Sequence, residues 1–157
     1  MKRVLVVIIA LSLFLVLGCS SPVVEEDPVP DTIEGTIEKL FDDRVVEITI
    51  NDHFEKESKK IVLVDLRARS GPTARSTING AHSDAIKLMQ GVFSFEEVIE
   101  VTSFWETVLV DQYGQEKVDN IVKVSFDRET ADKIKWENIK SDNIPNIATD
   151  YWKHGSF

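Results

Sequence analysis

Apolar and polar residues alternate with a period of two in two early segments of the chain, a pattern that is typical of β-strands. The first segment is 44–50, where Val46, Ile48 and Ile50 share one face. The second, 61–69, is the clearest strand in the sequence. Its predicted buried face consists of Val62, Val64, Leu66 and Ala68, and its opposite face of Asp65, Arg67 and Arg69.

A β-hairpin is predicted in the second half of the chain. β-Branched and aromatic residues fill 98–110, and the alternation returns over 118–126. The intervening residues 111–115 are Asp-Gln-Tyr-Gly-Gln, in which Asp111 and Gly114 are strong turn formers. We therefore expect two antiparallel strands joined by this turn.

Apolar residues spaced by three and four predict helices elsewhere. The longest predicted helix follows Ser70-Gly71-Pro72, a helix-opening signal, and ends near Gly91. A short helix is expected after Asp31, its predicted N-cap, and another over 129–135 after Asp127. The inner face of the long helix is predicted to carry Ala74, Ile78, Ala81, Ala85, Leu88 and Met89.

The order of these elements, helix, strand, strand, helix, strand, strand, predicts an α+β fold. We expect a four-stranded, mainly antiparallel sheet with one long helix packed on one face, plus short N- and C-terminal helices. Residues 136–157 are expected to be mostly irregular, with a helical turn at 147–152. The tail aromatics are Trp136, Tyr151, Trp152 and Phe157. We expect them to pack onto the domain, and the alternative is an exposed partner-binding patch.

The first residues have the three parts of a secretory signal. Lys2 and Arg3 are basic, residues 4–17 are apolar apart from Ser12, and the small residue Gly18 follows. The apolar stretch is shorter than the ~20 residues that a membrane-spanning helix needs. The pattern therefore favours a cleaved signal over a permanent membrane anchor.

The sequence Val16-Leu17-Gly18-Cys19 resembles the lipobox of bacterial lipoproteins, although Leu17 stands where a smaller residue is commoner. The resemblance implies that Cys19 receives a diacylglyceryl group and becomes the first mature residue. The alternative is a chance cysteine beside an ordinary cleavage site. The expected organisation is a signal peptide at 1–18, a lipidated and Pro/acidic tether at 19–30, and a single α+β extracytoplasmic domain at 31–157.

Charge and cysteine content narrow the classes of partner. Two of the 18 basic residues and none of the 27 acidic residues precede Cys19, so cleavage would change the formal charge from −9 to −11. Such a chain is repelled by nucleic-acid backbones and by anionic headgroups, and nucleic-acid binding is not expected. Cys19 is the only cysteine, which excludes an internal disulfide.

Candidate chemistry is sparse. His53, His82 and His154 have no metal-ligand spacing, and the common phosphate-binding and hydrolase motifs are absent from the sequence. We expect no metal and no cofactor, and this favours a binding role over an enzymatic one. The candidate binding patch consists of Asp65, Arg67 and Arg69 on one strand face with Glu47 on the neighbouring strand. The alternative is a solvated face with cross-strand ion pairs.

The chain carries a second resemblance, in the tail segments 135–139, 143–148 and 151–154 and in Ser103-Phe104-Trp105-Glu106 at the predicted hairpin. The tail segments look similar to the ends of small uncharacterised lipoproteins of Gram-positive bacteria, and residues 103–106 to the start of their hairpin. The resemblance implies a Gram-positive surface location and no activity. Together with the lipobox, it leads us to expect a chain at the cell membrane, anchored by lipid on the extracytoplasmic face. The expected function is a binding module for a protein or cell-envelope partner. The alternatives are a small-ligand-binding or enzymatic domain, and a surface exclusion or inhibitor lipoprotein.

Overall fold

The computed structural model describes residues 32–157, so the predicted signal, Cys19, the predicted tether and Asp31 lie outside the described residues. The strands are β1 (Val45–Asp52), β2 (Lys60–Arg67), β3 (Val98–Val110), β4 (Glu116–Asp127) and β5 (Asp150–Lys153). The helices are α1 (Ile33–Phe41), α2 (Ala74–Val92), α3 (Arg128–Ala131) and α4 (Ile144–Ile147). Short 3₁₀ turns occupy Asp42–Arg44, Trp136–Asn138 and Ser141–Asn143.

The five strands form one mixed sheet in the order β1-β2-β3-β4-β5. Three neighbouring pairs are antiparallel, whereas β2 and β3 are parallel. Parallel neighbours need a long crossover connection, and the 19-residue helix α2 supplies it. The predicted α+β class and long helix are confirmed, and the expected four-stranded, mainly antiparallel sheet is corrected to a five-stranded mixed one.

The fifth strand lies in the tail, where the sequence predicted a helical turn at 147–152. The helix α4 ends at Ile147, and residues 150–153 pair antiparallel with β4 as an edge strand. Four residues are too short a run to show a clear alternation. Trp136, Tyr151 and Phe157 pack against the core as expected, whereas Trp152 is 45% exposed.

Helices α1 and α2 contribute the apolar side chains that cover one face of the sheet. Val62, Val64 and Leu66 of β2 are fully buried, which confirms three of the four predicted inner positions, whereas Ala68 lies beyond the end of β2 and is half-buried. Most of the predicted inner positions of α2 are also buried, and Ala74 in its first turn is exposed. The core therefore lies between this face of the sheet and the helices.

The helix starts differ slightly from the predicted ones. The N-cap of α1 is Thr32, whose Oγ1 accepts a hydrogen bond from the amide of Gly35 at 3.1 Å. Asp31 was therefore placed one residue too early as the cap. Helix α2 begins with a capping box between Thr73 and Ser76. Asp127 caps α3 as predicted, although that helix is a single turn.

The predicted hairpin is confirmed, and it extends beyond its neighbours. Strand β2 pairs with β3 as far as Glu106. Beyond that point, residues 107–119 of β3 and β4 pair with each other and with no other strand of residues 32–157. The turn is held by Asp111, whose Oδ1 accepts hydrogen bonds from the amides of Tyr113 and Gln115 at 2.8 and 2.9 Å. Gly114 adopts a positive φ of 79°, which a residue with a side chain rarely tolerates.

Within residues 32–157, no helix combines the length and apolar character that crossing a membrane would require.

Candidate functional site

Three residues of the predicted patch share the sheet face opposite the helices. Glu47 lies directly across from Asp65, and Arg67 lies across from Glu106. The Nε of Arg67 is 3.8 Å from Oε1 of Glu106, and its Nη1 donates a hydrogen bond to the carbonyl of Asp43 at 3.4 Å. We call the face that carries Glu47, Asp65, Arg67 and Glu106 the open face.

The open face is locally acidic. Burial raises the pKa of Asp65, and the carboxylates of Glu47 and then Glu106 raise it further. Three carboxylates therefore face one guanidinium, and the guanidinium lies at salt-bridge distance from Glu106. The excess negative charge of this surface favours contact with a positively charged group.

Arg69 does not belong to this face, which corrects the predicted patch. Strand β2 ends at Arg67, so the alternation that assigned Arg69 to the open face no longer applies. Its guanidinium instead bonds to both carboxylate oxygens of Asp84 on α2. Arg44 donates to the same carboxylate at 2.7 Å.

Asp84 is a buried carboxylate that sequence reasoning missed. Its side chain is 1% exposed, and Arg44 and Arg69 neutralise it from the β1–β2 side of the domain. An acidic residue between Ala81 and Ala85 on the predicted inner face was the available signal. A buried carboxylate with two guanidinium partners fixes α2 against the sheet and has the character of a structural group.

The projecting part of the hairpin carries exposed apolar side chains. Val108 and Val118 are direct cross-strand neighbours and are 52% and 55% exposed. Val110 lies two residues beyond Val108, on the same face, and is 63% exposed. Tyr113 in the turn is 80% exposed. We call Val108, Val110, Val118 and Tyr113 the hairpin patch.

The hairpin patch adjoins the open face. Glu106 precedes Val108 by two residues, so both side chains project from the same side of β3. Apolar side chains at the tip thus continue into the acidic surface formed by Glu47, Asp65 and Glu106. Sequence reasoning predicted the strands but missed the patch, because the alternation does not tell which part of a strand lacks a neighbour.

The hairpin turn and the start of the described chain lie at opposite ends of the sheet. Thr32 lines one small groove together with Lys60, the first residue of β2, and Glu97, the residue before β3. From there β3 runs through 13 residues to Val110. At ~3.3 Å per residue this places the patch roughly 40 Å from the groove that Thr32 lines.

The three histidines serve different local structures. His82 on α2 is buried, and its Nε2 lies 3.0 Å from the hydroxyl of Tyr151 on β5. Its Nδ1 makes no hydrogen bond of normal geometry within the described part of the chain. Burial lowers the pKa of His82, and Asp142 acts in the opposite direction. His53 and His154 accept backbone amide hydrogen bonds in their own loops.

Among residues 32–157, no cluster of three or more His, Cys, Asp or Glu side chains has an arrangement that could hold a metal ion. Comparison of the chain with known proteins finds no matching family model, no matching curated protein and no matching solved structure.

Proposed function

We propose that this chain is a membrane-anchored extracytoplasmic lipoprotein whose folded domain binds a protein partner. The support for the anchor is the sequence pattern around Cys19, a basic start and a short apolar stretch followed by a lipobox-like motif. Lipid supplies the membrane attachment, because a body with a formal charge of −11 gains nothing from anionic headgroups.

The hairpin patch is the observation that carries the binding proposal. Three β-branched apolar side chains face solvent on a two-stranded projection, where neither a helix nor a third strand of residues 32–157 pairs with them. Contiguous exposed apolar groups rimmed by polar residues mark interaction surfaces. The adjacent carboxylates of Glu106, Asp65 and Glu47 add charge selectivity. The partner surface is therefore expected to have an apolar centre with Lys or Arg beside it.

The position of the patch fits a tethered protein. The tether enters near Thr32, and the patch lies at the far end of β3. A domain anchored at its N-terminus would thus present the hairpin away from the bilayer. The eleven-residue segment 20–30 adds roughly 30 Å of reach if it is extended.

Site-specific photo-crosslinking tests the binding proposal. A photoreactive residue is introduced at Val110 of the full chain, expressed so that lipidation can occur. The expected result is a discrete, protease-sensitive adduct with one partner protein, lost when Val108→Asp places a charge in the patch. The control carries the photoreactive residue at Phe54, which is 89% exposed in the loop between β1 and β2, at the end of the sheet remote from the patch. Equal adducts from both positions, or adducts that survive Val108→Asp, would contradict the proposal.

A further inference from the structure

A second surface feature lies in the segment after β4, on elements separate from the hairpin. It is a groove of about 510 Å³ formed around α3, the turn Trp136–Asn138 and α4. This volume falls within the ~300–1,000 Å³ of pockets that hold small ligands. Three of its lining residues are aliphatic, Ile134, Ile139 and Ile147.

The walls of the groove are firmly attached to the domain. The ring of Trp136 packs edge-on against the ring of the buried Phe126, with 5.6 Å between the ring centroids. Ile144, in the first turn of α4, is fully buried. Asp127 accepts a hydrogen bond from the amide of Thr130 at 2.7 Å, which fixes the start of α3. The isoleucines are only partly buried although their backbone is anchored, so the groove is preformed.

Two lysines and an asparagine are among the polar side chains of the groove. Lys133 pairs with Glu129 at 2.9 Å, whereas Lys135 has no carboxylate within salt-bridge distance among residues 32–157. The side-chain amide of Asn138 can donate beside it. In a chain with a formal charge of −9, an unpaired ammonium next to three aliphatic side chains is the complement of an acid attached to a hydrocarbon.

We propose that this groove binds an anionic amphiphile with a single aliphatic chain. The hydrocarbon contacts Ile134, Ile139 and Ile147, and the acid group pairs with Lys135 and accepts a hydrogen bond from Asn138. This inference goes beyond partner binding at the hairpin patch and does not depend on it. It also does not depend on lipidation of Cys19.

Photolabelling of the full chain in membranes tests the groove. The probe is a dodecanoic acid that carries a diazirine on its hydrocarbon, and its methyl ester is the uncharged comparison. The acid is expected to label the peptides that contain Ile134, Ile139 and Ile147, and excess unlabelled dodecanoate is expected to suppress the labelling. The ester should label about tenfold less, as expected for the loss of one charge-assisted contact.

Two charge-reversal variants distinguish binding at the groove from non-specific labelling of the chain. Lys135→Glu is expected to reduce labelling by the acid about tenfold. Lys56→Glu makes the same change in an exposed loop and is expected to leave labelling unchanged. Equal labelling by acid and ester, or labelling that spreads to the hairpin patch, would overturn the proposal. Failure of excess dodecanoate to compete would also overturn it, because the labelling would then be non-saturable and would not report a binding site.

Discussion

At the scale of single residues, His82 makes stability depend on pH. The folded state lowers the pKa of this buried imidazole below its ordinary value of 6.5. The unfolded chain therefore takes up a proton more readily than the folded chain below that value. Stability is fully present above pH 6.5 and decreases as the pH falls toward the pKa of the folded state.

We expect the free energy of unfolding of the unaltered chain to decline between pH 7 and pH 5 more steeply than that of His82→Gln. Urea unfolding at several pH values measures both slopes. The control is Ser83→Ala, which changes the neighbouring half-buried position of α2 without removing a titratable group and should retain the slope of the unaltered chain. An NMR titration in which His82 protonates above 6.5 would be incompatible with this explanation.

A second residue-scale prediction concerns Asp84. Replacement by Asn leaves Arg44 and Arg69 beside a neutral group in a site where the carboxylate is 1% exposed. Removing one partner of a buried ion pair costs about 3–5 kcal/mol. Arg69 is half-exposed and can turn to solvent. We therefore expect Asp84→Asn to reduce the free energy of unfolding by about 3 kcal/mol, the smaller of these values.

The matched control for Asp84 is Asp150→Asn. This carboxylate pairs with Lys123 at 2.6 Å but is 56% exposed, and exposed pairs contribute about 1 kcal/mol or less. Denaturant unfolding compares the two variants directly. Equal losses of stability would mean that the Asp84 pair behaves as a surface pair.

At the scale of elements, Arg128 holds the connection between α2 and β3. Its guanidinium donates to the carbonyls of Phe93, Phe95 and Val98 at 2.6–2.9 Å and packs over the ring of Phe93. Arg128→Met would leave these acceptors without a charged donor. Hydrogen bonds to charged groups contribute about 1.5–3 kcal/mol, so we expect a loss of at least ~2 kcal/mol.

Hydrogen exchange locates the effect of Arg128→Met. The amides of residues 94–98 should exchange faster, whereas those of β1, which Arg128 does not contact, should keep their relative protection. Uniform acceleration across the domain would mean that Arg128 contributes only to global stability and does not clamp this connection.

The elements also mark how far sequence could predict the fold. Strand β2, the hairpin and α2 were predictable because each carries a local period or turn signal. The parallel pairing of β2 with β3 was missed, although a long helix between two strands is the signature of a crossover. Strand β5 depends on pairing with β4 and has little local signal of its own.

The candidate site also has features that the sequence could predict and features that it could not. Alternation alone assigned Asp65 and Arg67 to one face of β2. The destination of Arg69 could not be predicted, because it depends on how α2 brings Asp84 to the end of that strand. The exposure of Val108 and Val118 depends on where β2 stops, which is a matter of register between distant segments.

At the scale of the whole molecule, the proposals assign different tasks to different parts of the chain. The lipobox-like motif would fix the chain to a membrane, and the acidic tether would hold the domain away from it. The hairpin patch lies at the end of the sheet remote from Thr32. The whole arrangement requires that Cys19 is the attachment point.

Mass spectrometry of the mature N-terminus tests that requirement most directly. The full chain is expressed in a bacterial host and purified from its membranes, and its N-terminal peptide is analysed. We expect a mature chain that begins at Cys19 with the added mass of a diacylglyceryl group, and a Cys19→Ala variant that no longer fractionates with membranes. A mature chain that begins elsewhere, or a Cys19 without added lipid, would contradict this expectation.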